Sequence, residues 1–261
     1  MSASSTVAQV AILSRRSVLG TFRQPQSWVP GFFFPLMLAA VYSSQFAKVV
    51  DLPTFPFEID SFLEFILPAS ILQGVAFGAT NGASDLAADI EGGFIDRLLA
   101  SPVPRQVILV SRLAGSAIFA SAQAIVLMLV FLVFGASIAG GFPAAITLVL
   151  VGALLALGLG SLGCAIAFRS GSQEVVQGTF PLIFVLIFVS SAFFPTELME
   201  GWYGAVAERN PMTWIIDPAR RLTIEEFAWS DAGQALGLCA VFAIVAIAVA
   251  SGQQRRRLRT S

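Results

Sequence analysis

Between Val107 and Phe134 the only charged residue is Arg112, and similar apolar blocks recur along the chain. About 20 apolar residues wound as an α-helix match the roughly 30 Å hydrocarbon layer of a bilayer. Inside that layer the backbone finds no water, so only helices and closed barrels satisfy their own hydrogen bonds. A barrel would show alternating segments of about 10 residues, and the sequence has none. Charged residues make up only 12% of the chain, against roughly 25% in a soluble domain. The expected fold class is therefore all-α: a polytopic membrane protein with six transmembrane helices. The spans are expected at about 28–46, 61–82, 107–134, 143–168, 174–194 and 232–251.

Several function classes fall away on composition. The chain has no histidine, which removes the commonest metal ligand and the usual general base. Cys164 and Cys239 each lie within an apolar run and read as small core residues. No catalytic residue and no metal site is expected. The only lysine, Lys48, lies in no glycine-rich loop, so the phosphate-binding pattern GxxxxGK[ST] is absent. The chain is not itself a P-loop ATPase. A net charge of −1 gives no argument for a nucleic-acid partner.

Residues 1–27 are polar and lack the apolar core of a signal peptide. On a helical wheel Val7, Val10, Ala11, Val18 and Phe22 share one face, Arg16 and Arg23 lie opposite, and Arg15 sits at the margin. That pattern predicts an amphipathic helix in the membrane interface. Trp28 is placed as an interface anchor. Within the fourth span, Ala156, Gly160 and Cys164 stand four apart, a face that lets helices approach closely, either within the chain or between subunits. Gln73, Asn81, Ser116 and Gln123 are expected to hydrogen-bond between helices more than to serve as substrate ligands. Residues 195–231 are too long for a tight turn and too apolar for a solvated loop; short helices dipping into the outer half of the membrane fit them. Residues 252–261 form a basic tail with Arg255, Arg256, Arg257 and Arg259.

Six spans put both termini on one side. That side collects eleven of the lysines and arginines and the other side four, namely Lys48, Arg209, Arg220 and Arg221. The positive-inside rule makes the first side cytoplasmic.

One long polar stretch, Asp85 to Arg105, interrupts the apolar runs on that side. Read as a helix over about 86–100, it places Leu86, Ile90, Phe94 and Leu98 at four-residue steps, with Ile95 and Leu99 beside them. Asp85, Asp89 and Glu91 lie towards its N-terminus and Arg97 towards its C-terminus, which suits the helix dipole. Ser101, Pro102, Val103 and Pro104 stop it. An apolar stripe flanked by charge can lie in a groove of another protein or pack back on the membrane surface; spacing alone leaves both open.

The run Asp89-Ile-Glu-Gly-Gly-Phe-Ile-Asp-Arg-Leu-Leu-Ala-Ser-Pro-Val-Pro-Arg105 resembles the signature of ABC transporter permeases of the type 2 exporter family. A second match runs from Phe193-Phe-Pro-Thr-Glu-Leu-Met199 through Asn210-Pro-Met-Thr213 to Arg220-Arg-Leu222. The drug-export branch, similar to daunorubicin-resistance permeases, is nearest in character. Gly92-Gly93 stands where many members carry charged residues before a single glycine. The resemblance implies a subunit that holds no cofactor, with ATP and magnesium on a separate ATP-binding protein present in two copies. It implies a second permease subunit, as homodimer or heterodimer, and a bacterial inner-membrane location amid membrane lipids. The coupling element would be Asp89 to Ala100, with Asp89, Glu91, Phe94, Asp96, Arg97, Leu98 and Leu99 towards the ATPase. The interfacial helix, with Arg15, Arg16, Phe22 and Arg23, would brace it. Few ionisable residues lie mid-span, so the rival reading, an ATP-independent secondary transporter or channel, lacks the coupling groups such proteins usually carry.

Overall fold

Ser61 starts the helix at the centre of the molecule. Its hydroxyl accepts the Leu63 N–H at 3.2 Å, an N-cap that satisfies one of the orphan donors of the first turn. In the computed structural model, which describes residues 3–53, 55–99 and 104–260, this helix (α3) runs Phe62–Glu91. The side chains of residues 3–7 (Val7 among them), Ser27, Asp96, Leu99, Arg105 and 258–260 lie outside the described residues, as do Ala100, Ser101, Pro102 and Val103.

Before α3 come α1 (Ala3–Phe22) and α2 (Pro25–Gln45). After it come α4 (Phe94–Leu99), α5 (Arg105–Val133), α6 (Gly141–Ser170), α7 (Gln173–Gln177) and α8 (Phe180–Phe188). A 3-10 turn (Thr196–Leu198), α9 (Gly201–Glu208), α10 (Pro211–Ile224) and α11 (Trp229–Thr260) complete the chain. The described residues are helical or irregular, with no strand. Among the described residues, four helices are long and apolar enough to cross a membrane: α3, α5, α6 and α11. The most apolar window of α3 is 83% buried within the chain, against 28% for α11. So α3 is the hub and α11 lies at the periphery, with most of its apolar side chains facing out of the chain. At 1.5 Å per residue the 30 residues of α3 reach about 45 Å, longer than the hydrocarbon layer.

Two of the six expected spans depart from that pattern. The first folds as α2, 21 residues containing Pro30 and Pro35. Pro35 has no N–H to give the carbonyl of Gly31 one turn earlier. The Gln123 amide of α5 donates to that carbonyl instead, at 2.8 Å. Gly31 and Gly74 make the approach possible: a Cβ on Gly74 would stand 2.8 Å from the Gly31 carbonyl oxygen. The fifth, expected as one helix over 174–194, is divided. Gly178 caps α7, Pro181 restarts the chain as α8 within its first turn, and the apolar run covers only Gln173–Phe188.

Close packing elsewhere uses glycine. A Cβ on Gly163 would meet the Ala83 Cβ at 2.4 Å, and one on Gly158 would meet the Phe242 ring at 2.3 Å. Ala156 and Cys164 are buried beside them. Small residues of α6 therefore serve contacts within the chain: Gly163 to α3, Gly158 to α11, and Gly160, on the face shared with Ala156 and Cys164, to Leu113 and Ser116 of α5. The basic tail is no separate segment. It continues α11 as helix, and Arg257 donates to the Phe168 carbonyl at 3.1 Å, satisfying an orphan acceptor at the end of α6.

Candidate functional site

The polar stretch folds as an elbow between α3 and α5. The helix expected over 86–100 is broken. Leu86 to Glu91 are the last turns of α3, Gly92 caps it, and Gly93 turns the chain at φ +66°. A left-handed backbone there favours a residue without Cβ. Only Phe94–Leu99 remain as the separate helix α4.

The apolar stripe faces inward. Leu86, Ile90 and Ile95 are buried, and Phe94 and Leu98 pack against them, together with Ile108, Leu113 and Phe168. The described part of the stripe thus seals the elbow onto its own bundle. Among the described residues of the elbow, Glu91, Gly92 and Arg97 are exposed.

Helix α1 lies along α5 at the same end. Ser14 donates its hydroxyl hydrogen to the Ser111 carbonyl at 3.1 Å. Gly115 leaves room for Ser17, which a Cβ there would meet at 3.0 Å. Asp89 is the node where three elements meet. Arg112 of α5 forms a close ion pair with one carboxylate oxygen. Arg16 of α1 reaches the other at 3.5 Å. Side-chain exposures of 13% for Arg112 and 18% for Asp89 put that pair largely out of water, where screening is weak. The Arg16 guanidinium also lies 4.0 Å over the Phe94 ring, a cation–π contact that ties α1 to α4. Glu91 accepts the Gln173 N–H at 2.8 Å, holding the start of α7 to the elbow.

Of the residues singled out from sequence, Asp89, Phe94, Arg16 and Leu98 therefore converge. They share a groove of about 540 Å³ with Arg15 and Arg23. Glu91 faces α7, and Arg97 is exposed at the tip. Phe22 turns to Phe119 and Trp28, ring centroids 5.6 and 6.4 Å away. The side chains of Asp96 and Leu99 lie outside the described residues. Sequence reasoning missed Arg112, Ser111 and Gln173 as partners, since no periodicity links residues so far apart. No group of three or more acidic or thiol side chains suited to a metal ion occurs among the described residues.

A second polar centre lies at the opposite end of α3. Arg220, counted from sequence among the charges of the non-cytoplasmic side, is buried: its side chain is 2% exposed. It donates to the Phe65 carbonyl at 3.1 Å, to Asp217 at 3.0 Å, and to the Ser191 and Ala192 carbonyls. Its guanidinium lies 3.7 Å over the Phe65 ring. Asn210 caps two helices at once. Its Oδ1 accepts the Met212 N–H of α10, and its Nδ2 donates to the carbonyls of Leu186 and Val189 at the end of α8. The chain segment carrying the second sequence match is thus a hydrogen-bonded clamp on α3 and α8.

The sequence pattern of the ABC-2 type transporter family matches residues 8–223. The chain belongs to that family. The match includes both the elbow and the Arg220 clamp. The chain is similar to the putative transport permease ycf38 of Cyanophora paradoxa, 25% identical over 83% of this chain and 74% of that protein. It resembles the daunorubicin resistance ABC transporter permease protein DrrB1 of Streptomyces coeruleorubidus, 26% identical over 80% of this chain and 73% of that one. The probable doxorubicin resistance permease DrrC of Mycobacterium tuberculosis is 23% identical over 82% and 76%. This ABC-2 protein is accordingly a multi-pass ABC transporter permease.

Proposed function

We propose that this permease is the membrane subunit of an ATP-driven exporter that moves a lipophilic or amphipathic cargo out of a bacterial cell. A separate ATP-binding protein, in two copies, supplies the energy and holds the ATP and magnesium; a second permease subunit completes the path. Both termini and the elbow face the cytoplasm. The observation that carries the reading is the build of the elbow. A six-residue helix is set between two membrane-length helices, sealed onto the bundle, and pinned to α1 through Asp89 and Phe94. A push on its exposed tip passes to α3 and α5 because packed interiors transmit displacement rather than absorb it. The resistance proteins named among its relatives support a drug-like cargo, and the scarcity of charge along the spans agrees with it.

Arg97 is an exposed charge of α4 and the residue to test. Reversing it in Arg97→Glu is expected to reduce co-purification of the cognate ATPase by about tenfold or more, as for an arginine at the centre of an interface. Membrane insertion stays intact. Unchanged co-purification together with unchanged transport would sink the docking reading.

A further inference from the structure

The groove between α1, the end of α3, α4 and the start of α5 has a depth in the bilayer that its neighbours define. From Leu113 to Val133 α5 carries no charged side chain, a run of about 30 Å at 1.5 Å per residue, equal to the hydrocarbon thickness. Arg112, the last charge before that run, lines the groove. The groove therefore opens at the level of the lipid headgroups rather than in the bulk cytoplasm.

Its lining is cationic with an excess of charge. Four arginines, at 15, 16, 23 and 112, face two aspartates, Asp85 and Asp89. Asp89 is already taken by Arg16 and Arg112. Arg15 and Arg23 are exposed and pair with no carboxylate among the described residues. On the same wall of α1 stand Ile12 and Leu19, both exposed apolar side chains. Residues 12, 15, 16, 19 and 23 fall on one helical face. Alternating cations and aliphatic side chains at headgroup depth fit an amphiphile whose polar end is a phosphate.

We propose that this groove seats an anionic phospholipid. Its phosphate lies against Arg15 and Arg23, and its glycerol and upper acyl chain lie along Ile12 and Leu19. The lipid supplies the negative charge that the groove lacks. The proposal stands on the depth and charge of the groove and does not depend on ATPase docking at Arg97.

Native mass spectrometry of the full chain tests it, with phosphatidylglycerol and phosphatidylcholine of matched acyl chains as probes. Wild type is expected to retain one phosphatidylglycerol about tenfold more firmly than phosphatidylcholine, from two arginines acting on one headgroup. The double variant Arg15→Gln/Arg23→Gln loses that preference, and Arg15→Lys/Arg23→Lys keeps it. Arg255→Gln/Arg256→Gln, which changes two arginines outside the groove, leaves it intact. Absence of preference in wild type, equal loss in the tail variant, or displacement of the lipid by millimolar inorganic phosphate would each overturn the proposal. So would loss of ATPase co-purification in Arg15→Gln/Arg23→Gln with lipid preference unchanged, which would assign the groove to the protein partner.

Discussion

Arg220 and Asp89 are both charges on the boundary of an apolar bundle, and they behave differently because their surroundings differ. Arg220 is desolvated and compensated by three backbone carbonyls, one carboxylate and one ring. Removing a guanidinium from such a site strands every acceptor it served. Arg220→Leu is expected to lower stability by about 3–5 kcal/mol, read from unfolding in mixed micelles; a loss within error of zero would show the clamp to be dispensable. Asp89 was legible as an acid near a helix end, but its partners were not. Arg112 stands 23 residues away and Arg16 73, and nothing in the spacing of the sequence joins them.

At the scale of elements, the elbow depends on where α3 stops. The sequence reads as one helix from Leu86 onward, because the four-residue apolar steps continue across Gly92-Gly93. The structure keeps the steps and breaks the helix, since Gly93 adopts φ +66° and α4 can then fold back onto the bundle core. Nothing lies within 4 Å of a Cβ placed on Gly93, so substitution there strains only the backbone. Gly93→Ala is expected to cost about 1–2 kcal/mol. It should reduce ATP-dependent transport more than it reduces stability, because it re-aims α4. Transport equal to wild type at equal expression would show that the angle of α4 is not used. The fifth span divides into two helices for a related reason. Gly178 and Pro181 were visible inside the apolar run, but proline is tolerated in membrane helices when neighbours satisfy the freed groups. Here Gly178 and Thr179 end one helix and Pro181 opens the next.

For the whole molecule, the bundle is organised by how closely α2, α5 and α6 approach α3. Gln123 sits where α2, α3 and α5 meet: it bonds the Gly31 carbonyl and touches the space above Gly74 and Gly78. Gln123→Leu leaves that carbonyl without a donor and is expected to cost about 1–2 kcal/mol. Cysteine-pair crosslinking between α2 and α5 should fall with it, and crosslinking at wild-type level would show that the bond does not hold α2. Of the polar residues expected to bond between helices, Gln123 does so, while the buried Gln73 amide has no hydrogen-bond partner among the described residues.

The sequence by itself determined that the chain is a helical membrane protein. Apolar blocks of bilayer length leave no other way to satisfy a backbone in hydrocarbon. It also located the elbow, since a charged stretch between two such blocks cannot lie within the bilayer, and its residue pattern carried the family resemblance. Tertiary structure alone decided that the apolar stripe of the elbow turns inward, that Asp89 joins α1 to α5, and that Arg220 is buried. Each of these depends on contacts between residues distant along the chain. Helical periodicity records which face of a helix is apolar, but not which neighbour will cover it or which distant charge will stand opposite.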